Sequence, residues 1–281
     1  MVPRLLLILL LTLAAAAQPS ESELDELLDW QDQQIVERFS ADGSADHRWD
    51  ALLQALAEQL VVGVSQVFPS QGQPVSFRVF RQKLGFNAVC WHRVVIVDSL
   101  LMEGLERLSQ GQAVYGKLDT PYTESILRQI GMERPELPPP PGLNWEREQQ
   151  ARKLFEEVLA AWICHEVSHA YLGHARERLR QARRLEQGNS QMNPLLLDQQ
   201  IRNHLDYRLG PTNELEADRY GARLALRSGF GLEGYRRALW IIARLEKLSG
   251  ADASFYRTHP QPEDRTRVLE EVEAEESQGR S

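Results

Sequence analysis

The chain has 281 residues, 42% of them hydrophobic and 26% charged, the balance of a globular protein large enough for a sizeable core. A formal charge of -8 excludes a predominantly basic, nucleic-acid-binding surface, and two cysteines exclude a disulfide scaffold. Cys90 and Cys164 are too few for more than one bridge, and as small apolar side chains they are expected to be buried thiols.

The opening "MVPRLLLILLLTLAAAAQPS" has one basic residue, Arg4, an apolar run from Leu5 to Leu13 and an Ala15-x-Ala17 pattern. That is the three-part layout of a secretory signal peptide over residues 1–17. The run is shorter than the roughly 20 residues a membrane-spanning helix needs. The mature chain is therefore expected to be exported, and periplasmic in a two-membrane bacterium. It would have no membrane span, with peripheral membrane association the remaining membrane contact.

Next come "ELDELLDW" and "WDALLQALAEQL", whose apolar residues recur at three- and four-residue spacing and predict two helices between Glu21 and Leu60. "PVSFRVFRQ" alternates and predicts a strand from Val75 to Phe80; "NAVCWHRVVIVDSLL" predicts another centred on Val94 to Val97. Two short strands close in sequence suggest a small antiparallel sheet. From Glu103 to Gly142, the punctuation by Gly111, Gly116, Pro121 and the run Pro138 to Pro141 predicts a loop-rich insertion, a candidate lid. Helical patterns fill the rest: a long one from Asn144 through the histidine-rich "HEVSHAYLGH", one over 193–211, "NELEADRYGARLALRSG", "GYRRALWIIARLEKLSG" and "PEDRTRVLEEVEAEE". The expected fold is a single α+β, mostly helical domain over residues 21–281, its small sheet beside the histidine helix.

His165, Glu166 and His169 form an HExxH motif. Residues four apart on a helix are separated by about 40° of rotation, so both imidazoles can reach one zinc ion while Glu166 faces a bound water as general base. On a continuing helix His174 lies about 140° round from His169 and would point away from the metal, as a helix-surface residue or one standing behind a ligand. The metzincin spacing would need glycine and histidine at Leu172 and Ala175, and Gly173 and His174 each sit one step off those places. In "NELEADRYGARLA", Glu214 and Asp218 are again four apart, so one carboxylate can bind zinc while the other accepts a hydrogen bond from a ligand histidine. Glu216, about 200° from Glu214, would face away. In "FYRTHPQPEDR", His259 and Arg265 are candidates to stabilise an oxyanion.

Four segments in order, "FNAVCWHRVVIVDSLL", "HEVSHAYLGH", "NELEADRYGA" and "THPQPEDR", resemble the zinc endopeptidases that include the CAAX prenyl proteases, the HtpX-type heat-shock proteases and the BepA-type periplasmic proteases. The resemblance spans roughly Trp49 to Leu269. It implies a gluzincin-like domain with one zinc ion on His165, His169 and Glu214, Glu166 as base, Asp218 behind a ligand, and His259 and Arg265 as transition-state stabilisers. It also implies that polypeptide substrates bind as an extended strand along Asn87, Ala88, Val94, Val95 and Val97. By analogy with the periplasmic members, those substrates would be unfolded or misassembled exported proteins. Where many relatives carry Pro-Gly-Gly, this chain has Cys90-Trp91-His92-Arg93, so the rim of its cleft differs. A second reading is a client-binding, chaperone-like protein on the same fold, its proteolysis latent because His259 occupies the water position.

Overall fold

The apolar spacing near the N-terminus forms two helices, α1 (Glu21–Ser40) and α2 (Asp50–Val67). Ser20 and Glu23 close a capping box at the head of α1, each side chain satisfying a backbone N–H at the helix start. The structure is a computed structural model that describes residues 20–41, 44–69, 74–81, 84–132, 137–189, 196, 210–249 and 260–278. The expected signal peptide, most of the helix expected over 193–211, and His259 lie outside the described residues.

Three short strands follow: β1 (Ser76–Phe80), β2 (Ala88–Cys90) and β3 (Val94–Asp98). Their order is β1-β3-β2, with β1 parallel to β3 and β2 antiparallel to it. The expectation of an antiparallel sheet therefore holds only for the β2–β3 hairpin, and the sheet is mixed. Alternation reports which face of a strand is buried, not which strand lies beside it or in which direction. The reversal at β2 returns β3 to the direction of β1.

The stretch from Glu103 to Gly142 is corrected too. It is mostly helix: α3 (Ser99–Tyr115) and α4 (Pro121–Gly131). Gly116 is the left-handed C-cap of α3, and Pro121 is the first residue of α4 behind the N-cap Thr120, so the supposed loop markers are helix stop and start signals. Leu105, Leu108, Ile126 and Leu127 are buried, which makes this segment part of the core and not a lid.

The axis of the domain is α5 (Trp145–Leu172), started by Asn144, whose side chain accepts the Arg147 N–H. Its Leu159, Ile163 and Cys164 are fully buried in one core shared with α3, with α7 (Gly210–Arg227) and with α8 (Glu233–Ser249). Burying side chains of this size stabilises the fold by about 1.5–3 kcal/mol each, so the helix that carries the histidines is also the best-anchored one. Helix α9 (Pro262–Gln278) lies on α7 through a ladder of ion pairs: Arg219 to Glu275 at 3.1 Å, Arg223 to Glu275 at 2.5 Å and Arg227 to Glu276 at 2.6 Å.

Helix α1 packs elsewhere. Leu24 and Leu28 cluster with Leu179 of α6 (His174–Gly188), while Phe39 joins Phe80 and Ile96 on the sheet. Cys90 and Cys164 are free thiols, as expected. Among the described residues no helix is long and apolar enough to cross a membrane.

Candidate metal centre

His165 and His169 are one turn apart near the C-terminal end of α5, and Glu214 comes from the second turn of α7, which packs across it. Close approach of the two helices depends on Gly221. A Cβ there would stand 3.0 Å from the His165 backbone nitrogen and 2.1 Å from the Tyr235 hydroxyl. Glu214 and Asp218 lie seven and three residues before it, on the same face of α7.

The three candidate ligand groups form a near-regular triangle, Glu214 facing each histidine with a different oxygen. His165 Nε2 is 3.0 Å from His169 Nε2 and 3.3 Å from Glu214 Oε2, and His169 Nε2 is 3.5 Å from Glu214 Oε1. Tetrahedral ligands about 2.0–2.1 Å from zinc are separated from one another by roughly 3.3 Å, so the triangle has the right size. Among the described residues this is the one group of three such side chains close enough to share an ion.

The local charge suits a cation as well. Burial works against a charged His165, but the carboxylates of Asp218 and Glu214 outweigh it and push its pKa up to about 10. Burial likewise opposes the Glu214 anion, yet hydrogen bonds to the two histidines hold it well below the usual carboxylate range.

Each histidine is braced from behind. His165 Nδ1 donates to Asp218 Oδ1 at 2.9 Å, so Nε2 is the nitrogen directed at the metal position. Asp218 is fully buried and receives two hydrogen bonds from Arg265, Nε at 2.6 Å and Nη2 at 2.7 Å. Arg265 therefore acts behind His165, through Asp218, and not on an oxyanion at the open position.

Behind His169 stands His174, and here the expectation is half corrected. His174 is not a ligand, but it does not point away. Gly173 at φ 71° ends α5 in the left-handed region, and the chain restarts as α6 in a new direction. This brings His174 Nδ1 to 2.7 Å from His169 Nδ1 and His174 Nε2 to 3.4 Å from Glu216 Oε2. With His169 donating from Nδ1, His174 accepts at Nδ1 and directs its remaining N–H toward Glu216. Burial, reinforced by the charge on His169, pushes the His174 pKa down to about 3, which keeps it in the neutral form that can accept. Glu216, expected to face away, faces this second layer because α6 folds back to meet it.

Glu166 is 8% exposed, and its burial raises its pKa above the ordinary carboxylate value. Its Oε2 accepts the Cys90 N–H of strand β2 at 2.7 Å. That strand is an edge of the sheet, and its Ala88 N–H is taken by the Asn87 side chain at 2.9 Å. Val94, Val95 and Val97 sit on the central strand β3, with Val95 and Val97 fully buried, so the substrate edge inferred from the sequence narrows to Asn87–Cys90.

The model of peptidase family M48 matches residues 51–273, which include every candidate ligand. The chain belongs to peptidase family M48. It is thereby placed among zinc-dependent metallopeptidases, and the mostly helical fold with a small sheet agrees with an M48 domain. Comparison with curated proteins and with solved structures finds no match. In this M48 chain the sequence reading identified the cluster His165, His169 and Glu214, with Asp218 beside it. It left His174 between the helix surface and a place behind a ligand, and missed the roles of Glu216, Gly221 and the Cys90 N–H. Gly173 was the available signal for His174 and Glu216, since a glycine after a long helical pattern is a common C-cap.

Proposed function

We propose that this chain is a zinc-dependent endopeptidase that cleaves exported polypeptides in an unfolded or misassembled state. The observation that carries the catalytic part of this reading is the triangle of His165, His169 and Glu214, with Glu166 buried beside it. A bound zinc ion supplies Lewis-acid polarisation of the scissile carbonyl and of the attacking water. Glu166 is held at Oε2 by the Cys90 N–H, so Oε1 is the oxygen that takes the proton from water and returns it to the leaving amine. Burial favours the protonated carboxyl and so makes Glu166 a stronger base than an exposed glutamate.

The substrate lies extended along the outer edge of β2 at Asn87–Cys90, where the Ala88 and Cys90 N–H groups are held by Asn87 and Glu166 and the strand's outward carbonyls accept from the substrate backbone. An unfolded chain can present such a strand, whereas a folded protein would have to release one first. The apolar run before an Ala-x-Ala pattern supports export as the source of those substrates.

Casein or a β-barrel precursor incubated with the chain, beside its Glu166→Gln variant, tests the reading. Cleavage by the parent and a loss of about 10²–10⁴-fold in the variant is the expected result. Equal cleavage by both would end the peptidase reading, and tight binding of an uncleaved client would favour the chaperone-like one. Metal analysis of Glu214→Ala should show lost zinc; an unchanged content would remove Glu214 from the ligand set.

A further inference from the structure

Helix α1 lies before residue 51, outside the matched family core, yet it grips the hairpin that holds Glu166. Asp32, 5% exposed, accepts the His92 N–H on Oδ1 at 3.0 Å and the Arg93 N–H on Oδ2 at 2.7 Å. Two residues earlier, the Cys90 N–H donates to Glu166. The turn Trp91-His92-Arg93 is closed by the Trp91 N–H on Val94 O at 3.1 Å, so these two grips act on one short rigid loop.

Around Asp32, one stripe of α1 is acidic and meets a basic set. Asp29 pairs with Arg93 at 3.3 Å, Asp25 with Arg176 Nε at 2.9 Å, and Glu21 with Arg180 Nε at 3.2 Å. Positions 21, 25, 29 and 32 fall on one helix face. The helix thus ties the β2–β3 hairpin to α6, the element that begins with His174.

We infer that Asp32 is a positioning residue for the base Glu166, acting through the β2–β3 hairpin. With Asp32 in place the hairpin is fixed from outside, and the Cys90 N–H sets where Glu166 Oε2 sits. Without it the strands stay packed in the core through Ala88, Val95 and Val97, but the turn loses its hold on Asp32 and the Cys90 N–H beside it can shift, carrying Glu166 Oε2 with it. The inference deepens the peptidase reading and rests on it. It also makes α1 a working part of the site, although α1 contributes no atom to the chemistry.

The test measures peptide hydrolysis by the full chain carrying Asp32→Ala, Asp32→Asn or Asp29→Asn, with kcat normalised to bound zinc and KM determined separately. Asp32→Ala should lower kcat about tenfold, in keeping with the sensitivity of catalysis to small misplacements, with zinc content and KM within about twofold. Asp32→Asn keeps one acceptor oxygen and should fall between Asp32→Ala and the parent. Asp29→Asn removes an α1 ion pair but leaves the grip on the turn, and should stay within about twofold. A kcat per zinc for Asp32→Ala equal to that of the parent would overturn the inference, even with a lowered melting temperature, because that pattern marks a purely structural role. Equal hydrolysis by the parent and Glu166→Gln would instead overturn the peptidase reading.

Discussion

His165 and His169 face the same point from the same helix, but what stands behind them differs. Asp218, behind His165, is fully buried and locked by a two-point bond to Arg265. Behind His169 the contact is a neutral imidazole, His174, leading to Glu216, whose side chain is half exposed. The first arm fixes its ring with charge in a dry interior, where geometry is rigid and any vacancy is costly. The second fixes its ring through a weak acceptor that opens toward water, where loss is cushioned by solvent. The two ligands should therefore respond to damage on very different scales.

The largest effect should come from Asp218→Ala, which strands Arg265 as a buried unpaired charge. About 3–5 kcal/mol of stability should be lost, measured by denaturant unfolding, with zinc content falling alongside. A loss no larger than that of a Glu216 variant would erase the contrast between the arms. Gly221→Ala comes next, since the new methyl collides with Tyr235 Oη and crowds the His165 backbone. It should cost about 1–3 kcal/mol, part of it recovered when Tyr235→Phe removes the colliding hydroxyl.

On the open arm, His174→Ala should weaken zinc binding about 10–100-fold in chelator competition, with little change in stability. Glu216→Gln should weaken it less than about fivefold, because its contact is long and wet. The smallest effect lies away from the metal. Burial and the charge of Arg93 lower the pKa of His92, against the opposing pull of Asp29 and Asp25. Undocked, this histidine titrates near 6.5, above its docked value. As pH falls below about 6.5 the undocked state takes up the proton first, so docking of α1 should weaken on the acid side and be unaffected above it. Hydrogen exchange of residues 21–40 at pH 5.5 and 7.5 measures this, and equal protection at both would refute it.

What the sequence revealed of the site was local. The spacing of His165 and His169, and of Glu214 and Asp218, is helix geometry and needs no tertiary knowledge. Which of two places His174 takes, the helix surface or the back of a ligand, depends on a break at Gly173 that one continuous helical pattern does not show. Arg265 was legible as a cation near the site, but not which anion it would choose, and the buried Asp218 competes better than an open oxyanion position. The helices α3 and α4 were hidden because Gly116 and Pro121 serve equally as loop residues and as helix ends. Strand order, and with it the exclusion of Val94, Val95 and Val97 from the substrate edge, is a long-range pairing that alternation does not encode. The hold of Asp32 on a turn 60 residues away is equally out of reach of periodicity.

The ladder joining α9 to α7 has a consequence for the order of events during synthesis. A chain made only as far as Glu214 already carries all three candidate ligands, but Arg265 follows 51 residues later. Until α9 settles onto α7, the carboxylate of Asp218 has no guanidinium to neutralise it and resists burial, so His165 lacks its fixed backing. The backing of His165 is thus completed only after α9 has been made and has settled onto α7.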